Sequence, residues 1–138
     1  MKLEEIKVGY CVSFNKKVTQ EDMDAFARIS GDVNPLHTDE GYAKNTKFKK
    51  RVVYGMLAAA YFSTLVGMYI PGENALYLSQ DLKFSLPIFI GDNLIVKGEV
   101  IEKHQSVRII TIKTTILKQG DDKIAVSGTA KVIVRQDK

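Results

Sequence analysis

One short stretch gathers most of the residues in this chain that could do acid/base chemistry: Ser30-Gly31-Asp32-Val33-Asn34-Pro35-Leu36-His37-Thr38-Asp39. It holds one of the two histidines, with a carboxylate, Asp32, five residues before it. Pro35 fixes its own φ and restricts Asn34. A turn that stiff can hold Asp32 and His37 towards one point. A carboxylate and an imidazole that share one water form a general acid/base pair. On spacing alone a second reading stays open, because Asp and Asn often close turns through their own side chains and a loop histidine can be idle.

Metal chemistry fits the same stretch poorly. Asp32 and Asn34 resemble the start of an EF-hand loop, but the sixth position is His37 where Gly is needed and the twelfth is Ala43 where Glu is needed. Asp32, His37 and Asp39 could ligate a transition metal, yet no second histidine lies near in sequence. No metal site is expected. His104 sits beside Glu102 and Lys103 and reads as a solvated turn residue. Cys11 is the one cysteine, which excludes an internal disulfide framework, and it reads as structural or idle.

The net charge is +4, with a denser basic patch at Lys44, Lys47, Lys49, Lys50 and Arg51. Phe48 is the one aromatic residue within the patch and the chain has no Trp, so the patch lacks base-reading signatures and no nucleic-acid partner is expected. A plain solvated face and a site for an anionic ligand both remain open. The first residues, MKLEEIKVGY, contain no apolar run and do not form a secretory signal, which makes the cytoplasm the expected location. Val52 to Ile70 is a run of 19 residues without charge. It is diluted by Gly, Ser, Thr and three consecutive alanines, and it reads as the buried helix of a globular domain rather than a membrane span.

The elements that must position Asp32 and His37 follow from pattern. Val12 to Val18 is a short strand. Thr19 caps a helix with Asp22 completing a capping box; Met23, Phe26, Ala27 and Ser30 share its face, and Gly31 ends it. Gly31 to His37 reads as a loop, and Thr38 as the cap of a short helix through Lys44. The uncharged helix is expected from about Val53 to Tyr69, stopped by Pro71-Gly72. Strands with period-two alternation follow. Leu76, Leu78, Leu82, Phe84 and Leu86 share one face of the first. Leu94, Val96 and Val100 share one face of the next, then Ile110, Ile112 and Ile116, then Ile124, Val126, Ala130, Val132 and Val134. Their connections are short enough for antiparallel neighbours. The expected fold is therefore α+β: one domain over residues 1–138, with an antiparallel sheet of about five strands wrapped around a long central helix, the hot-dog architecture.

The stretch Ser30 to His37, followed by Val52-Val53-Tyr54-Gly55-Met56-Leu57, resembles the MaoC-like, (R)-specific enoyl-CoA hydratases. The likeness continues through Phe62-Ser63, Leu82-Lys83-Phe84, Pro87 to Asp92 and Val126-Ser127-Gly128, so it covers nearly the whole chain. It implies that Asp32 and His37 are the catalytic pair holding the water. It also implies that the Gly55 backbone N–H binds the thioester oxygen, which suits an amide at a helix start facing developing enolate charge. Ser63 matches a serine of the active-site surroundings; a hydroxyl bonded to its own helix backbone is the alternative. Asn34 is taken to orient the loop beside the substrate. One position departs: the family usually carries His before the glycine and this chain has Tyr54, which bears on local packing and substrate preference.

The activity so implied is reversible addition of water to a trans-2-enoyl-CoA, giving a (3R)-3-hydroxyacyl-CoA. The variants left open are a dehydratase of 3-hydroxyacyl chains on acyl carrier protein, a thioesterase, and a non-catalytic domain that binds acyl thioesters. No cofactor is expected beyond the coenzyme A of the substrate. A homodimer is expected, because family members commonly pair with their active sites close to the interface and an open sheet exposes its edges.

Overall fold

In the computed structural model, which describes residues 1–136, Thr19 caps the first helix, α1 (Gln20–Ser30). Its hydroxyl accepts from the Asp22 amide while the Asp22 carboxylate accepts from the Thr19 amide. Gly31 ends the helix at φ 76°, a left-handed conformation that a residue without Cβ adopts freely. Two short helices come next, α2 (Pro35–Thr38) and α3 (Glu40–Lys44). The expected loop thus closes into a helical turn from Pro35, the position proline favours inside a helix start. The cap of α3 is Asp39 and not Thr38. The Thr38 hydroxyl is committed to the Val33 and Asn34 carbonyls, and the neighbouring carboxylate is the better acceptor for a helix amide.

The uncharged helix, α4 (Gly55–Thr64), begins two residues later than expected and continues through a π-helical turn over Leu65–Tyr69. Val52 and Val53 are withheld from it because they pair with the Ile88–Phe89 segment. Val52 forms a β-bridge with Phe89, and the Val53 amide donates to the Ile88 carbonyl at 2.7 Å. Among the described residues, no helix is long and apolar enough to cross a membrane.

Six strands form one antiparallel sheet: β1 (Cys11–Lys17), β2 (Ala75–Gln80), β3 (Lys83–Phe84), β4 (Asn93–His104), β5 (Ile109–Lys118) and β6 (Lys123–Val134). The order is β1-β4-β5-β6-β2, with β3 also on β6. The expected single strand from Leu76 to Leu86 is therefore two, divided where Asp81 crosses Gly128 of β6. The Asp81 amide donates to the Thr129 carbonyl, and a Cβ at Gly128 would overlap the Asp81 carbonyl oxygen.

The apolar alternation holds for β4 and β5. Leu94, Val96 and Val100 are buried, as are Ile110, Ile112 and Ile116. On β6, Val126, Ala130, Val132 and Val134 are buried, but Ile124 is exposed beyond a register shift next to Leu117. On β2 the face turned to the core is offset by one residue from the expected alternation. Tyr77, not Leu76, pairs with buried Val132, while Leu76 pairs with Ile133 on the opposite face. A register shift between Tyr77 and Ser79 inserts an extra residue, which reverses the alternation. Leu76 and Leu78 are each 53% exposed as a result.

The sheet covers one face of α4, burying Leu57, Ala58, Tyr61, Phe62, Leu65 and Val66. Gly98 on β4 makes this close approach possible, since a Cβ there would lie 3.0 Å from the Leu65 side chain. The other face of α4 and its π-helical continuation, with Met56, Ala60, Ser63, Thr64 and Met68, is exposed in the single chain. At one end the Ile88–Phe89 segment just before β4 fixes Val53, and the helix fixes Gly55. The candidate chemistry collects between them.

Candidate active site

The loop after α1 is tied by its own polar groups. The Ser30 hydroxyl donates to the Phe26 carbonyl and accepts from the Asp32 amide at 3.1 Å. Asp32 Oδ1 accepts from the Asn34 amide at 3.0 Å, and Asn34 Oδ1 accepts from the Leu36 amide at 3.0 Å. These are side-chain-closed turns of the kind Asp and Asn form readily. They leave Asp32 Oδ2 without a partner inside the loop.

His37 is held from the segment before α4. Its Nδ1 lies 2.7 Å from the Val52 carbonyl oxygen, and the Leu36 carbonyl accepts from the Val52 amide at 3.2 Å. A carbonyl only accepts, so the neutral imidazole carries its proton on Nδ1 and leaves Nε2 bare as a base. The His37 carbonyl accepts from Arg51 Nε at 2.7 Å. Arg51 also donates to Gln20 Oε1 at 2.8 Å and lies 3.8 Å from the Glu40 carboxylate. Only 9% of it is exposed, so Arg51 leaves the basic surface patch and joins the framework of the site. Nothing in the sequence separated it from the lysines beside it.

Tyr54 lies under the imidazole. Its ring centroid is 4.2 Å from that of His37 and 4.8 Å from that of Phe26, and its hydroxyl donates to the Asp32 carbonyl at 2.6 Å. Burial raises the Tyr54 pKa, and the Asp32 charge raises it further, so the hydroxyl stays protonated as a donor. Gly55 follows as the first residue of α4, and its amide therefore has no acceptor within the helix. A Cβ on Gly55 would come within 2.9 Å of the Phe84 ring.

Two cavities meet at this point. A smaller one, about 230 Å³, is lined by Phe26, Ser30, Asp32, His37, Tyr54, Gly55 and Met56. A larger, mostly apolar one, about 430 Å³, is lined by His37 and Gly55 together with Phe48, Val53, Phe84 and Pro87 among others. Asp32, His37 and Gly55 are thus brought together as the sequence predicts. Asn34 and Ser63 line neither cavity. Asn34 shapes the loop through its cap to Leu36, and Ser63 lies on the exposed face of α4. Beside the larger cavity, Lys47 sits over Phe48, and Lys50 and Lys118 lie 4.5 and 5.2 Å from the Phe89 ring centroid. Among the described residues no group of three His, Cys, Asp or Glu side chains could hold a metal ion. His104 is exposed and bonded to Glu102 at 2.8 Å, and Cys11 is exposed and free.

The MaoC like domain family matches residues 5–122. The chain is 39% identical to an (R)-specific enoyl-CoA hydratase of Aeromonas caviae, over 96% of this chain and 98% of that protein. It is 37% identical to an (R)-specific enoyl-CoA hydratase of Rhodospirillum rubrum, over 95% and 90%. Among solved structures, unliganded R-hydratase PhaJ1 from Pseudomonas aeruginosa superposes with a TM-score of 0.93 at 34% identity, covering 99% of this chain and 86% of that one.

The His37 geometry predicts an observable tautomer. With the imidazole neutral, nitrogen-15 spectra should give His37 a protonated Nδ1 and a bare Nε2, the reverse of the form common in free histidine. A signal with the proton on Nε2 would contradict the bond to Val52.

Proposed function

This chain belongs to the MaoC-like domain family, and from that premise we infer that it is an (R)-specific 2-enoyl-CoA hydratase, a hydro-lyase with Asp32 and His37 as its catalytic pair. The reaction is reversible syn addition of water to a trans-2-enoyl-CoA, giving the (3R)-3-hydroxyacyl-CoA. The supporting observation is that Asp32, His37 and Gly55 line one small cavity while His37 Nδ1 is committed to the Val52 carbonyl.

The chemistry follows from those commitments. Asp32 Oδ2 and His37 Nε2 are both acceptors, so a water between them donates one hydrogen to each. Its lone pair then faces outward, towards the substrate Cβ. One O–H bond breaks as the oxygen bonds to Cβ, and the proton passes to the pair. The electrons of the double bond move towards the thioester oxygen, where the Gly55 amide and the helix dipole stabilise the negative charge. The same pair returns the proton to Cα. One water site on one face of the substrate makes the addition syn. No step needs a metal or a redox group. The larger cavity, with Lys47 over its lining residue Phe48 and Lys50 over the nearby Phe89 ring, suits the thioester's arm and the phosphates that follow it.

We also infer a homodimer. β2 is a sheet edge carrying exposed Leu76 and Leu78, and the uncovered face of α4 carries Met56 and Met68, 58% and 74% exposed. Edges and apolar patches of this kind are covered by association. Light scattering should exceed the 15.4 kDa of one chain, and a monomer at assay concentration would refute the dimer. A cytoplasmic location belongs to the same reading.

Crotonyl-CoA hydration tests the pair. Asp32→Asn removes basicity at constant size and His37→Ala removes the imidazole. Each should lower kcat by roughly 10²-fold or more, the usual contribution of general acid/base help. The double variant should be little worse than the worse single one, because the two act as a unit. Near-native rates in either folded variant, or an (S) product, would sink the mechanism. Release of free thiol instead of loss of the enoyl absorbance would indicate a thioesterase, and turnover only of carrier-bound chains would indicate the dehydratase.

A second assay addresses the lysines. Charge reversal at Lys47 and Lys50 should raise KM several-fold with little change in kcat, and added salt should act likewise, since exposed charges are screened over about 10 Å at 0.1 M. An unchanged KM would return these residues to an ordinary solvated surface.

A further inference from the structure

Asp32 and His37 are not anchored in the same way. His37 is gripped from a distant part of the chain, by Arg51 on its carbonyl and by Val52 on its ring. The bonds of Asp32 to Ser30 and Asn34 are internal to its own exposed loop, each spanning two residues. Bonds that local can keep the shape of a turn, but they do not fix where the turn sits relative to the helix. Among the described residues, the hydrogen bond that reaches Asp32 from another part of the fold is the one from Tyr54, 22 residues away. Tyr54 is itself well placed to be rigid. It is 2% exposed, its ring is packed between Phe26 and His37, and it is the N-cap residue of α4, next to Gly55.

We propose that Tyr54 is a positioning residue for the reaction: its hydroxyl fixes the Asp32 backbone and its ring backs the His37 imidazole, so one side chain sets both members of the pair against the Gly55 amide. The proposal rests on the reading of Asp32 and His37 as the catalytic pair. Tyr54 touches neither the water nor the substrate's reacting carbons in this role. It acts through Asp32, whose carboxylate must stay in line with Nε2 for one water to bridge the two. The geometry needs a side chain long enough to pass beneath the imidazole and still reach the loop beyond it. Tyr meets that need.

The test is a double-mutant cycle between Tyr54→Phe and Asp32→Asn, followed by crotonyl-CoA hydration with circular dichroism and thermal melts on each variant. Tyr54→Phe keeps the ring and removes only the hydroxyl. Its kcat should fall by roughly tenfold with KM within twofold, because the surfaces that hold the thioester's arm are untouched. In the Asp32→Asn background, the same substitution should cause little further loss, since the carboxylate it positions is already gone. A merely structural role would instead multiply the two losses. The proposal is overturned by a Tyr54→Phe kcat within twofold of wild type, by a loss confined to KM, or by independent multiplication of the two effects. If Tyr54→Phe does not fold, Tyr54→His is taken through the same cycle with the same expectations. A full rate for Asp32→Asn would mean that the catalytic reading itself had failed. A slow Asp32→Asn beside a fast Tyr54→Phe would remove the Tyr54 role alone.

Discussion

The hydrogen bond from the His37 imidazole to the Val52 carbonyl is the contact on which the rest of the site depends. An imidazole serves as a base at one nitrogen only when the other is committed, and a main-chain carbonyl is a partner that does not titrate. The carbonyl is in turn held by the pairing of its own segment. Val52 bridges Phe89 and Val53 bonds Ile88, so the sheet's framework reaches the ring through two residues. The neighbouring residues carry the remaining duties in order along the chain. Arg51 holds the His37 backbone, Tyr54 holds the Asp32 backbone, and Gly55 presents its amide. Five consecutive residues therefore relate a loop, a sheet and a helix end to each other.

That segment also shows how packing and chemistry are satisfied together at Gly55. A side chain here would collide with the edge of Phe84, so the space beside the amide is already taken by a ring from β3. Gly98 does the corresponding work further down the helix. By leaving room for Leu65, it lets the π-helical turn that continues α4 sit against β4.

What could be read in the sequence was whatever local pattern controls. Thr19 and Asp22 announce the start of α1, Gly31 its end, and the isoleucines of β5 their buried face. Asp32, His37 and Gly55 could be named because their motif is contiguous and resembles a known family. Three things were settled by contacts that residue type alone does not reveal. Arg51 looked like one more lysine neighbour until Gln20 and the His37 carbonyl enclosed it. The β2 alternation predicted Leu76 facing inward, but the extra residue before Ser79 put Tyr77, itself 37% exposed, on the face of Val132 instead. Thr38 and Asp39 are both competent caps, and the choice between them turns on which one the Asn34 carbonyl occupies. Ser63 was drawn from the resemblance, and in the single chain it faces away from both cavities.

The strand order has a consequence for how the molecule comes into being. β4, β5 and β6 form a meander of short connections, whereas β1 must wait for β4 and β2 must double back to find β6. Short loops close at lower entropic cost than long ones, so the meander is the natural first structure to condense. Asp32, His37 and Gly55 all precede it in the chain, and their framework at Ile88–Phe89 lies directly before β4. The reactive residues thus leave the ribosome early but acquire a fixed relation to one another late, once the second half of the chain has folded and gives Val52 something to pair with. Catalytic competence is then an end point of folding, and a chain interrupted before β4 would carry every reactive group in an order that cannot work.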